Sequence, residues 1–177
     1  MDYYDKGGKL RSHEEYEKYA SQYKEWWMTY EKQILQGMSD VLGLEFKQNA
    51  IDVHVAPFFY AFSDPLVLGV QFDSQEKLVL NLTHELLHKL FVDNTTHDDT
   101  KTVDEWKEMF GDYEFVALVH IPVYAMLHEI FIDIVKRPEI LDTEIRKTKP
   151  YKDAWAYVRH NGYKAIIAKL QNQYQVR

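Results

Sequence analysis

The hydrophobic pattern of the first forty residues is helical. Apolar or aromatic side chains recur at Tyr16, Tyr19, Tyr23, Trp26, Trp27, Tyr30, Ile34, Met38 and Val41, the three- and four-residue spacing of one helix face. Ser12-His13-Glu14-Glu15 has the form of a capping box. Gly43 has the form of a C-terminal cap, so one long N-terminal helix is predicted between them. The glycine-containing stretch before it, residues 1–11, reads as a flexible arm. The period then changes. Ile51, Val53 and Val55 alternate with Asp52 and His54 up to Pro57, which predicts a half-buried strand. A second strand is predicted over residues 66–72, after Pro65. Asp73 or Ser74 caps a helix from about residue 75 to 92, and a polar loop follows over 93–99. A short helix over 103–110 ends at Gly111. The apolar segment 113–135 is interrupted by Pro122, which starts or kinks a helix, and Pro138 closes it. Helical patterning returns over 153–158 and 163–170, about a bend at Asn161-Gly162. The sum is an α+β fold with a long N-terminal helix and a small mixed or antiparallel sheet. No repeat, low-complexity run or linker divides the chain, so residues 1–177 are expected to form one domain.

Composition narrows the partners. The net charge of −7 and the absence of a basic cluster argue against a phosphate backbone or an anionic membrane surface. No cysteine is present, which excludes disulfides and thiolate metal sites. The N-terminus lacks a basic region followed by an apolar run. The longest apolar stretch, 115–135, is broken by His120, Pro122, His128 and Glu129, so no membrane span is expected. A cytoplasmic protein is the expectation. Asn81-Leu82-Thr83 and Asn94-Thr95-Thr96 match glycosylation acceptors and Asp98-Asp99 a hard-cation pair, but a buried helix and a solvated loop account for them.

The chemistry concentrates in "LTHELLHKLF", residues 82–91. His84 and His88 lie one helical turn apart on one face, with Glu85 beside the first. The surrounding leucines make this helix apolar nearly all round, and polar groups inside such a helix carry a desolvation cost unless partnered. A Zn²⁺ ion supplies that partner: two neutral imidazoles bind it, and the glutamate takes a proton from water at the open position. A third protein ligand is then needed. Glu129 and Asp133 sit one turn apart in a second apolar segment, where Glu129 is the candidate ligand and Asp133 the acceptor for a ligand histidine's other ring N–H. His120, just before Pro122, is the alternative. For a developing oxyanion, "AWAYVRHNGYKAII" offers His160 first, Tyr163 second, and Tyr157.

These residues resemble the zincin metallopeptidases, in particular the gluzincin branch of thermolysin type. There a His-Glu-x-x-His helix is followed by a second helix bearing Asn-Glu-x-x-x-Asp, and His128-Glu129-Ile130-Phe131-Ile132-Asp133 matches it with histidine in place of asparagine. The resemblance implies a minimal zincin-like fold, ligands His84, His88 and Glu129, base Glu85, and Asp133 as support. It implies a peptide or protein substrate. It covers two helices and the strand before them, and the chain length resembles the small minigluzincins, some of them latent. The longer interval from His88 to Glu129 keeps His120 open as the third ligand. In zincins an edge strand lies along the cleft and pairs with substrate backbone, a role the resemblance gives to strand 66–72 unless that strand is interior. The other class of function is a non-catalytic or latent metal-binding domain that acts as a protein-interaction module.

Overall fold

The computed structural model describes residues 12–56, 61–95, 99–144 and 146–175. The N-terminal arm and Asp98 lie outside them. Ser12 caps the first helix as its sequence predicts: its hydroxyl accepts from the Glu15 N–H, and the Glu15 carboxylate accepts from the Ser12 N–H. The aromatic stripe does not stay in one helix, however. Helix α1 (His13–Met28) ends and α2 (Glu31–Leu42) begins at Tyr30, whose φ of −120° leaves helical geometry. The cause is local. The Gln75 side-chain amide donates to the Trp26 carbonyl, so the Tyr30 N–H turns to Trp27 instead. Gly43 closes α2 with φ of 66°, a left-handed conformation that glycine adopts without a Cβ clash.

Three short strands follow: β1 (His54–Ala56), β2 (Phe62–Ser63) and β3 (Leu66–Gly69). Their order is β1-β3-β2, with β3 parallel to β1 and antiparallel to β2. Leu66 and Leu68 are buried, so the strand at 66–69 is the sheet's interior. The edge beside the cleft described below is β2.

Helix α3 (Gln75–Asp93) carries buried residues around its whole circumference. Ser74 caps it, its hydroxyl accepting from the Lys77 N–H. Ser74→Ala is expected to cost about 1 kcal/mol in unfolding free energy, read by urea denaturation, with metal content unchanged. Helix α4 (Asp99–Phe110) starts earlier than its apolar spacing suggests, and α5 (Phe115–His128) runs straight through Pro122. Residues Glu129–Ile134 then continue α5 as a π-helical turn, in which the Val135 N–H reaches back to Ile130, a widening that inserts one extra residue per turn. The continuous helix Phe115–Ile134 spans 20 residues and contains an 18-residue window with a mean hydropathy of 1.8. By length and composition it meets the requirement for crossing a membrane, contrary to the expectation from its interruptions. In this fold 67% of that window is buried, packed against α3, α4 and the last two helices, α6 (Lys149–Asn161) and α7 (Tyr163–Gln175). The molecule is therefore mostly helical with a small mixed sheet, a loose α+β arrangement, and α3 and α5 pass side by side through its core.

Candidate metal centre

The pairing of α3 with α5 assembles three imidazoles. His84 and His88 come from one face of α3 and His120 from α5, and their ligand atoms all lie within 4.8 Å of one another. The Nε2 of His88 is 3.1 Å from that of His84 and 3.2 Å from that of His120. A tetrahedral zinc about 2.0–2.1 Å from each nitrogen spaces those nitrogens about 3.3 Å apart, close to the separations of His88 from His84 and from His120. Its protonation fits as well. The Nδ1–H of His120 donates to the Val116 carbonyl at 2.6 Å, which leaves its Nε2 as a bare lone pair facing the other two rings. A single proton on the His88 Nε2 can be donated to only one of its two close contacts and leaves the other without a hydrogen bond. One cation satisfies all three nitrogens at once.

Burial keeps these rings neutral. It holds the His84 imidazole well below its ordinary value, with the Arg146 charge adding to the effect. Burial also pushes His88 down to about 3, helped by its neighbours His120 and Arg146. His120 falls to about 4, mainly by desolvation, against the opposing pull of its bond to Val116. Neutral imidazole is the form that binds metal.

The triad opens into a cleft of about 490 Å³ whose walls include Phe62 and Ser63 of β2, Glu85, Arg146 and Tyr151. Glu85 is 6% exposed. Burial raises its carboxyl above the usual carboxylate range, and Arg146 opposes that rise. The Arg146 guanidinium donates to Glu85 Oε1 at 2.8 Å, to the Asn81 side-chain oxygen at 3.1 Å and to Glu144 at 3.3 Å. Asn81 is thereby buried and engaged, and is not presented as a glycosylation acceptor. Arg146 is the residue that sequence reasoning missed. It lies outside any helix or strand, in "TEIRKTKP", which carries neither a periodic pattern nor a motif. The signal for it was indirect: a glutamate inside an apolar helix requires a cation.

The second helix behaves differently from the expectation. Glu129 does not join His84 and His88. Its carboxylate accepts a hydrogen bond from Lys164 of α7 at 2.8 Å and pairs with the same ammonium through its other oxygen at 2.6 Å, and His120 occupies the third position of the cluster. Asp133 does not support a ligand histidine either. It accepts from the Tyr163 hydroxyl at 2.8 Å and pairs with Lys164 at 2.9 Å, both holding its carboxyl below the usual range. The Glu129–Asp133 spacing is real, but the face they share meets α7 rather than α3. The Nδ1 of His84 is buried with no hydrogen-bond partner among the described residues.

The oxyanion candidates also lie elsewhere. Tyr163 is committed to Asp133, and His160 and Tyr157 line a separate surface hollow with Tyr113 and Lys149. Within the cleft, Tyr151 stands in the corresponding place, its ring centroid 4.5 Å from that of His120. Three buried or largely buried histidines placed to hold a metal ion, beside an arginine-paired glutamate, make this cluster the candidate functional centre. Comparison of the chain with protein-family models, curated proteins and solved structures finds no match.

Proposed function

We propose that the protein is a zinc-dependent peptidase of zincin-like character, with His84, His88 and His120 as the metal ligands. The observation that carries this reading is the convergence of three Nε2 atoms in a cleft that also contains Glu85. Three histidines leave the open coordination position that catalytic zinc sites keep. When bound, the ion supplies Lewis acidity toward a carbonyl and a water. The chain's own residues do the rest. Glu85 accepts the proton of the attacking water as the water oxygen bonds to the carbonyl carbon. It returns a proton to the amine nitrogen as the C–N bond breaks. Arg146 fixes the orientation of Glu85 and favours its ionised form. Tyr151 and Arg146 are the donors available to the developing oxyanion. The edge residues Phe62, exposed, and Ser63, half-buried, offer backbone along which a substrate can align.

Glu85→Gln is expected to retain metal and to lower hydrolysis of an unfolded protein substrate by about 10²–10⁴-fold, the usual contribution of a positioned base. Unchanged turnover in that variant removes Glu85 from the mechanism. The Glu85–Arg146 ion pair favours a second reading, a metal-binding domain that does not turn over, because a carboxylate already held by arginine needs no catalytic role. That reading expects metal in the wild type, no hydrolysis by it, and no hydrolysis by Arg146→Gln, in which Glu85 is released.

A further inference from the structure

A second cavity, of about 370 Å³, adjoins the histidine cleft and shares Arg146, Lys147 and Tyr151 with it as a common wall. Its lining is unlike that of the chain as a whole. Four cationic side chains, Arg146, Lys147, Lys152 and Arg159, face Asp142 and Glu144, a local excess of positive charge in a protein of net charge −7. Lys152 and Arg159 form no ion pair among the described residues. Tyr124 and Trp155 form the aromatic wall, with ring centroids 4.8 Å apart. The Tyr124 side chain is 0% exposed, and its hydroxyl is buried with no partner among the described residues. An unpaired buried donor of this kind is unfavourable, and an acceptor entering the cavity removes that cost.

The position relative to the triad sets the scale. The Tyr124 ring lies 5.7 Å from His84 and 5.8 Å from His120, and Tyr151 stands between the two spaces. An extended peptide advances about 3.3 Å per residue, so one or two residues bridge them. The modest excess of cations and the aromatic wall suit a monoanion that carries a side chain, rather than a phosphate dianion.

We propose that this cavity binds the C-terminal carboxylate of a peptide whose last or last-but-one peptide bond lies at the His84–His88–His120 cleft. The proposal rests on the peptidase reading and names its substrate class: short peptides with free C-termini, trimmed from that end. Arg159 and Lys152 hold the carboxylate, Tyr124 donates its hydroxyl, and Trp155 supports the terminal side chain.

The test uses calorimetric binding to the zinc-loaded Glu85→Gln protein, with an N-blocked tripeptide as the free acid and as the C-terminal amide. The free acid is expected to bind at least about tenfold more tightly. Lys152→Ala with Arg159→Ala is expected to bring the acid down to the amide's affinity and leave the amide unchanged. Tyr124→Phe is expected to weaken the acid severalfold. Equal binding of acid and amide overturns the proposal, as does tight binding of a peptide amide with an internal aspartate. Wild-type hydrolysis separates the two levels. Cleavage of acid and amide at equal rates keeps the peptidase and overturns the carboxylate site. Preferential binding of the acid without any cleavage keeps the site and overturns the peptidase.

Discussion

His84→Ala and His120→Ala are each expected to lower bound zinc from about one ion per chain to near zero, while Glu129→Ala retains it, because the site stands on three imidazoles and loses its coordination when one is gone. The contrast with Glu129 is the informative part. Its carboxylate is held by Lys164, so its removal disturbs α7 and leaves the triad alone. Metal analysis of the dialysed proteins reads this directly. Thermal melting in chelator provides the control for folding, since His84 and His120 are 1% and 6% exposed and a cavity there has its own cost. Zinc retained by His120→Ala and lost by Glu129→Ala sinks the three-histidine assignment.

The second large effect is sensitivity of the metal-free protein to acid. His88 and His120 have folded-state values pushed down to about 3 and about 4, whereas in the unfolded chain a histidine titrates near 6.5. Between those limits the unfolded state binds protons that the folded state refuses. Stability is therefore full above about pH 6.5 and is lost progressively as the pH falls toward 4. At about 1.4 kcal/mol per pH unit of difference, His120 alone accounts for on the order of 3 kcal/mol and His88 for somewhat more. Much of a typical domain's stability is then gone by pH 4. Urea midpoints of the metal-free protein at pH 7, 6, 5 and 4 measure this. A midpoint that stays level from pH 7 to 5 contradicts the burial of neutral imidazoles. His88→Gln with His120→Gln is expected to make the profile shallower, leaving the acid sensitivity that the buried His84 contributes.

What could be read before folding follows from which interactions are local. The helix bearing His84 and His88, its Ser74 cap and the four-residue spacing of its ligands are all settled within twenty residues, and they stand in the structure where the pattern puts them. The capping box at Ser12 is equally local. The third candidate ligand is not. His120 and Glu129 are both polar groups on one apolar helix, and the choice between them depends on which face of α5 meets α3 and which meets α7. Spacing along the chain shows that Glu129 and Asp133 share a face, but not what packs against it. The break at Tyr30 has the same origin, since a glutamine from α3 takes the Trp26 carbonyl. Arg146 has neither period nor cap to announce it, and only the buried charge of Glu85 required such a residue.

The placement of the candidate ligands on two helices has a mechanical consequence for a metal-bound form. His88 and His120 are 32 positions apart in the chain, and the chain has no cysteine. An ion shared between them closes that loop as a covalent crosslink would. In the chain-entropy description, tying off a loop of that size removes roughly 3.5–4 kcal/mol of freedom from the unfolded state. The centre would then act as a removable fastener between α3 and α5. The supply of metal would govern how long the folded molecule survives as well as what it does.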